Sequence, residues 1–362
     1  MGIGQYIREH SPWSVYAQPH DLNQPPPKWF DNWSGDGIIA RLQNRQIVRA
    51  VKNKGVPVVD VLGVRHSENI PLVHVDNRAI AEMAAEHLLD RGFRDLAFFG
   101  LKNEYWSVER QSGYMKYLRS RGFSCRELIL ARRELEETAW DQLVLMAADW
   151  VDSLPIPVGI MLCSDVRGLL LQEACRKSGR VIGRDVALIG VGNDRTLCEL
   201  GTPQLSSVEA NHIAVGYEAA SLLDRMMAGL PPPKKPILIK PLFVGIRAST
   251  DFLAVEDAAV AKAIHYIRNH CGEPLRLDDV ARYAGLSRSV LQRRFRALLN
   301  RTVLDEITDA RIHKALDMLR GTDLSVENIA EKCGFGYAQN MGRIFRKHLH
   351  ASPKHYRNKR AH

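Results

Sequence analysis

A chain of 362 residues that is 45% hydrophobic and 25% charged is long enough for two domains and has an ordinary globular composition. No apolar run reaches the ~18 residues a membrane helix needs, no secretory leader opens the chain, and the six cysteines show neither CxxC pairs nor zinc-like spacing. The expectation is therefore a cytoplasmic protein with reduced thiols and without metal or cofactor. The net charge of +9 is uneven: residues 255–362 carry +8 of it, the footprint of a polyanion binder joined to a nearly neutral body.

The chain opens on what reads as the end of a helix, with Ile3, Tyr6 and Ile7 on one side, followed by a candidate strand at 13–18. Further candidate strands lie at 37–40, 57–61, 95–100, 158–163, 186–190 and 238–244. Candidate helices lie between them at 45–54, 77–91, 109–121, 140–154, 166–178 and 212–228. Several of these stop at a glycine (Gly55, Gly92, Gly122, Gly179, Gly229), as helix C-termini prefer. Alternating strands and helices predict a doubly wound parallel sheet. Unbroken apolar strands such as LAFFG and VGIML predict that helices cover both of its faces. The triple prolines at 25–27 and 231–233 read as extended connections.

Within 248–255 the pattern changes, and everything onward to Lys347 reads as short helices. Asp278 is placed to cap a first helix that stops at Gly285, and Ser287 to cap a second. Leu291, Phe295 and Leu298 form the core face of that second helix, leaving Ser289, Gln292, Arg293 and Arg296 on the other. The plan repeats: Ser325 caps a helix ended by Gly334, and the next buries Met341, Phe345 and Leu349. Gln339, Asn340, Arg343 and Lys347 remain as its polar set. Glutamine and arginine can make bidentate contacts to adenine and guanine edges in a major groove. Arg296, Arg346 and Lys347 suit phosphates, which set register rather than sequence. A helix at 303–320, ~27 Å long, joins the two units and suits insertions ~34 Å apart on double-stranded DNA. One arginine on a helix face has the plain alternative of a solvated charge; the ordered pair of units speaks for groove binding.

The stretch from IAEKCGF through RIFRKHL to SPKHYR resembles the AraC-type regulators, with Pro353, Tyr356 and Arg357 at the positions of that family's closing motif. Met341 stands where an aromatic is usual and His350 where a glycine is common. The preceding segments VPVVDVLG, VHVDNRAIAEMAAEHLLDRGF, CSDVRG and LSSVE resemble a LacI-like sensor of the periplasmic-binding-protein type. The resemblance implies an α/β sensor of two lobes (1–253) with a sugar in the cleft. An all-α double helix-turn-helix domain (254–362) would follow it. It further implies an activator of sugar genes of the xylose type, a pentose as ligand, a homodimer and contact with RNA polymerase. Arg110, Asp165 and Asn193 with Asp194 match its sugar-contacting positions. Arg110 has the alternative of a helix-end charge, Asp165 that of an N-cap, and Trp106 either stacks on a sugar or simply packs.

Two departures bear on the sensor. Gly192 replaces an aspartate usual in that loop, removing a partner worth ~1.5–3 kcal/mol if it held a hydroxyl. Relatives also begin with a strand and loop before the first helix, and the sheet's first strand is not found here. Four lost aliphatics would forfeit ~6–12 kcal/mol. The expectation is an upstream start or an impaired sensor. Three functions compete: a sugar-gated regulator, a regulator with a vestigial or altered sensor, and an enzyme on the same fold. The chain has no P-loop, no GxGxxG opening a helix and no GxSxG elbow, which disfavours the enzyme.

Overall fold

The structure, a computed structural model, describes residues 1–10, 12–17, 25–63, 70–252, 257–299, 301–349 and 351–357. The first lobe begins with helix α1 (Gly2–Glu9), strand β1 (Ile38–Ala40), helix α2 (Arg45–Asn53) and strands β2 (Val58–Asp60) and β3 (Val73–Val75). β1 and β2 pair in parallel, and a bridge between Asp60 and Leu72 extends the order toward β3. The buried Asp60 carboxylate ties the strand ends together. It accepts the amide hydrogens of Leu42 (3.2 Å), Leu62 (2.9 Å) and Gly63 (3.1 Å).

The second lobe contains α3 (Asn77–Asp90), β4 (Asp95–Lys102), α4 (Tyr105–Ser120), β5 (Arg126–Ala131), α5 (Arg132–Glu137) and α6 (Trp140–Asp152). It continues through β6 (Val158–Leu162), α7 (Gly168–Lys177), β7 (Val186–Val191), α8 (Arg195–Leu200) and β8 (Ser206–Val208). The chain then returns as α9 (His212–Met227), pairs β9 (Ile237–Ile239) in parallel with β3, and pairs β10 (Val244–Gly245) antiparallel with β8. It thus passes between the lobes three times. The main sheet runs β10-β8-β7-β6-β4-β5. Its strands are covered on both faces: Phe98 and Ile189 enter one core, Phe99 and Leu188 the other.

The remaining chain is helical: α10 (Ala258–His270), α11 (Leu277–Tyr283), α12 (Arg288–Leu299), α13 (Val303–Gly321), α14 (Val326–Lys332), α15 (Ala338–Leu349) and α16 (Pro353–Arg357). Leu291 and Phe295 belong to one core and Met341 and Phe345 to another, with α13 contributing to both. Ser287 accepts the amide hydrogen of Val290 (3.4 Å) and Ser325 that of Asn328 (3.1 Å), so both expected caps form. Gly285 (φ 69°) and Gly334 (φ 75°) end their helices in the left-handed conformation that the turn requires.

Several expectations are corrected. Residues 12–17 form no strand, and position 18 lies outside the described residues. Among the described residues β1 pairs with β2 alone. A groove of about 630 Å³ lies between β1 and that segment, lined by Trp13, Tyr16, Ile38, Ala40, Ile47 and Leu223. The run at 238–244 divides into β9 and β10 because the chain passes between lobes there. β3, β5 and β8 escaped prediction; β3 and β8 are three residues long, and two of the three in β8 are serine. Asp278 does not cap α11. Arg276 is the cap residue, without a side-chain bond, and Asp278 sits in the first turn, where its charge favours the helix N-terminus. The expected domain boundary falls partly on residues 253–256, outside the described set.

A charged seam centred on the buried Glu306 joins the helical part to the second lobe. Arg301 donates to the Asp90 carbonyl (3.3 Å) and Arg94 to the Leu298 carbonyl (3.3 Å). Arg301 also pairs with Glu306 (2.5 Å) and Asp309 (3.4 Å), and Arg268 with Asp251 (2.5 Å) and Glu306 (3.4 Å). Glu306 is 3% exposed and pairs with both arginines. Burial raises the Asp309 carboxyl to about 6. In the core of the second unit, Phe243 from the last crossing meets the Tyr356 ring edge-on at 6.3 Å. Removing one partner of a buried pair strands the others. Glu306→Gln should therefore lower stability by roughly 3 kcal/mol, measured as a shift in the urea unfolding midpoint of the full chain; an unchanged midpoint would show that the seam carries no net stability.

Candidate functional site

The carboxyl ends of β3, β4, β6 and β7 and the three crossings meet between the lobes, where open α/β sheets place their ligands. Arg110, on α4, is buried there. Its Nε donates to Asn77 Oδ1 (2.9 Å) at the start of α3, and its Nη1 to the Cys163 carbonyl (2.5 Å) after β6. Trp106, one turn earlier, lies under the guanidinium at 5.1 Å. Burial lowers the Arg110 guanidinium to about 10, so it remains charged at neutral pH. Trp106 therefore packs against a defined partner, the Arg110 guanidinium.

Asp165 is 3% exposed and clips three strand ends together. Its Oδ1 accepts from Ser207 Oγ (2.5 Å) on β8 and its Oδ2 from the Asp194 amide (2.9 Å) after β7. Burial raises its pKa, and those two bonds oppose the rise. It stands at the head of the short 3₁₀ turn Asp165–Arg167 and provides no side-chain cap there. Asn193 adopts φ 52°. Its amide donates to Ser207 Oγ (3.0 Å), its Nδ2 to Glu209 (3.3 Å), and its Oδ1 accepts from Arg247 (2.9 Å). Asp194 is exposed and caps α8 through the Leu197 amide (3.2 Å). Arg110, Asp165 and Asn193 are thus gathered at one end of the sheet, while Asp194 faces solvent as a cap.

The structure accounts for Gly192. Its φ of 127° is a conformation side chains avoid, and a Cβ there would lie 3.0 Å from Asp165 Oδ2. The Asp165 carboxylate already occupies that space, so a second carboxylate at 192 would meet a like charge. Residues not singled out from sequence also enter the site. His74, on β3, is 8% exposed with Nδ1 3.1 Å from the Val61 carbonyl. His212 opens α9, and burial, reinforced by Arg110, lowers its pKa. A histidine inside the apolar strand VHV was the one available signal.

The helical part presents a second surface. Ser289, Gln292, Arg293 and Arg296 are exposed on α12, opposite buried Leu291 and Phe295. On α15, Gln339, Arg343 and Lys347 are exposed opposite Met341 and Phe345. Asn340 differs from them: its Nδ2 donates to the Phe335 carbonyl (2.9 Å) and its Oδ1 accepts from Arg343 (3.2 Å). It braces the turn before α15 and orients Arg343. Arg294, not expected to matter, anchors α12 to Asp257 (2.7 Å) ahead of α10. Tyr356 is buried and donates to the Leu349 carbonyl (3.3 Å), while Arg357 bonds the Leu324 carbonyl, so the closing motif locks α16 onto the second unit.

Three family models match the chain: a XylR N-terminal domain over residues 1–78, a periplasmic binding protein-like domain over 85–250 and a helix-turn-helix domain over 280–359. The chain is 32% identical over 98% of its length to the xylose operon regulatory protein of Escherichia coli (strain K12), covering 92% of that protein. It is 29% identical over 98% of its length to the protein of the same name from Haemophilus influenzae, covering 93% of it. A solved structure of the xylose-binding transcription activator XylR aligns with 100% of the chain and 94% of its own, at TM-score 0.62 and 29% identity.

Gly192→Ala should destabilise the fold by about 1–3 kcal/mol, because it forces a side chain into a glycine conformation against Asp165; chemical unfolding that matches the parent would show that the loop can relax.

Proposed function

This chain belongs to the family of the xylose operon regulatory proteins, sugar-responsive DNA-binding transcription regulators, and from that premise we propose that it activates sugar catabolic genes of the xylose type when a pentose binds between its lobes. The observation that carries this is the pair of helices α12 and α15, each exposing glutamine and arginine opposite a buried face, joined by the 19-residue α13. At ~1.5 Å per residue that helix is ~28 Å long, which suits two successive major grooves.

In this proposal residues 1–253 form the sensor and 254–362 the DNA-binding domain. Gln292, Arg293, Gln339 and Arg343 read bases, Arg296, Arg346 and Lys347 set register on phosphates, Ser289 shares the DNA-facing side of α12, and Asn340 positions Arg343. Arg110 and Asn193 contact the sugar, with Asp165 and Asp194 holding the loop that carries Asn193. Sugar closes the lobes, and the effect on DNA equals its differential affinity for the closed and open states. The lobe that closes is the one bonded to the helical part through Arg301 and Arg94, which gives closure a mechanical outlet. The protein acts in the cytoplasm as a homodimer contacting RNA polymerase and has no catalytic role; the description of the solved relative as an activator supports the sign. No metal-holding cluster occurs among the described residues, and no helix among them is long and apolar enough to cross a membrane.

Alanine at Gln292, Arg293, Gln339 or Arg343 should each cost about 1–3 kcal/mol of operator affinity and relax base preference locally; unchanged affinity and preference in all four, by gel shift on matched and mismatched sites, removes the groove assignment. Footprinting on the DNA flanking its own gene should show protection that appears or shifts with D-xylose. Protection indifferent to every pentose and hexose would leave a DNA-binding regulator whose sensor is silent.

A further inference from the structure

His74 stands in β3 between Val73 and Val75, whose side chains enter the core on the other face of the strand. It is 8% exposed, and its Nε2 is buried without a partner among the described residues. Its other ring nitrogen, Nδ1, lies 3.1 Å from the Val61 carbonyl. A carbonyl only accepts, so Nδ1 carries the ring hydrogen, and in the neutral ring Nε2 is a bare acceptor. Leaving such an atom buried and unmatched is unfavourable, and buried polar groups in folded proteins are matched as a rule.

Two arginines and a histidine are its charged and titratable neighbours. Arg110 from the second lobe, His212 from the start of α9 and Arg41 after β1 all lie within electrostatic reach of His74. Burial and these neighbours hold the His74 imidazole down to about 4, so it is neutral at physiological pH. Arg110 has five N–H groups, of which its Nε–H and one on Nη1 are given to Asn77 and the Cys163 carbonyl, and it can only donate. Its Nε bonds Asn77, three residues beyond His74, so a donor of the second lobe reaches the end of the strand that carries this acceptor. A hydroxyl satisfies both, accepting from one and donating to the other. An ether, a carbonyl or a carboxylate cannot donate to Nε2.

We infer that His74 is a specificity-determining residue of the sugar site, its Nε2 accepting a hydrogen bond from a ligand hydroxyl that the second lobe holds from the other side. This rests on the cleft being a sugar site, as proposed above. It narrows the ligand to polyols with one particular hydroxyl free, and excludes the sugar deoxygenated or O-methylated there. It also ties recognition to closure, because the same hydroxyl bridges both lobes.

The test is binding of D-xylose and its monodeoxy and mono-O-methyl analogues, by calorimetry, to the full-length parent, His74→Phe and His74→Gln. Thermal unfolding of each variant serves as the control for folding. Loss of one hydroxyl should weaken binding to the parent by at least about tenfold, the scale of one hydrogen bond. His74→Phe should bind D-xylose about tenfold more weakly and no longer distinguish it from that analogue. His74→Gln, which can return an acceptor, should recover part of the loss. If the parent binds D-xylose and no single hydroxyl matters, the assignment is overturned without any variant. If His74→Phe is folded and keeps the full deoxy penalty, it is likewise overturned, while the sugar-sensing proposal stands. A parent that binds no pentose or hexose overturns both.

Discussion

Two adjacent serines on one short strand hold the sensor and the helical part in a common frame. Successive side chains of a strand point to opposite faces, so Ser206 and Ser207 of β8 look in different directions. Ser207 faces the cleft, donating to Asp165 and accepting from the Asn193 amide. Ser206 faces the other side. There it accepts from Thr250 Oγ1 (2.7 Å) and donates to the Arg247 carbonyl (2.8 Å). Both are fully buried, so each bond replaces one that water would otherwise make. A change of register in β8 by one residue would bring Leu205 or Val208 into the place of one serine and leave that serine's partners unmatched.

From Thr250 the bonding continues. The Thr250 hydroxyl is committed to Ser206, so it accepts from His87 Nε2 (2.8 Å), and His87 Nδ1 then accepts from Arg91 (3.1 Å). Burial drives the His87 imidazole well below its ordinary pKa, and the neutral ring fits one donor and one acceptor position. Arg91 closes the loop on the Thr250 carbonyl (2.7 Å), and the next residue, Asp251, receives Arg268 from α10. The line from Asp165 to Arg268 is a contiguous set of bonds through one strand. The bonds that hold Asp165 and those that lead to Arg268 thus share Ser206, Ser207 and the Thr250–Asp251 pair.

The helical part divides its polar residues by task. Side chains that fix the helices are bonded inward: Arg294 to Asp257, Asn340 to the Phe335 carbonyl and Arg357 to the Leu324 carbonyl. Those left outward on α12 and α15 are glutamine, arginine, lysine and serine over two apolar cores that share α13. A shared rod makes the spacing between the two outward sets a property of one helix, which bends little over five turns. The charged seam of Arg268, Arg301 and Glu306 lies at the base of that rod and is centred on the buried Glu306, so its strength comes from mutual pairing and not from exposure to solvent.

What the sequence determined by itself is whatever depends on neighbours within a few residues. The alternation of strands and helices, the glycine stops at Gly55, Gly92 and Gly285, the serine caps at Ser287 and Ser325, and the outward faces of α12 and α15 all follow from periodicity and local backbone sterics. The segment at 13–18 misled because an alternating apolar pattern states a preference for strand without supplying a partner edge. Gathering Arg110, Asp165 and Asn193 was legible through resemblance, but their states were not. Asp165 is satisfied by β8 and the loop after β7, Gly192 is excluded from bearing a side chain by Asp165, and Asn340 turns inward. The histidine within VHV was the one local sign of His74; the Val61 carbonyl that fixes its ring and the nearby Arg110 come from the fold. Only the tertiary structure decided these, since a polar group's chemistry is set by which partners reach it, and here they come from 33 positions away for Arg110 and Asn77 and from 163 for Thr250 and His87.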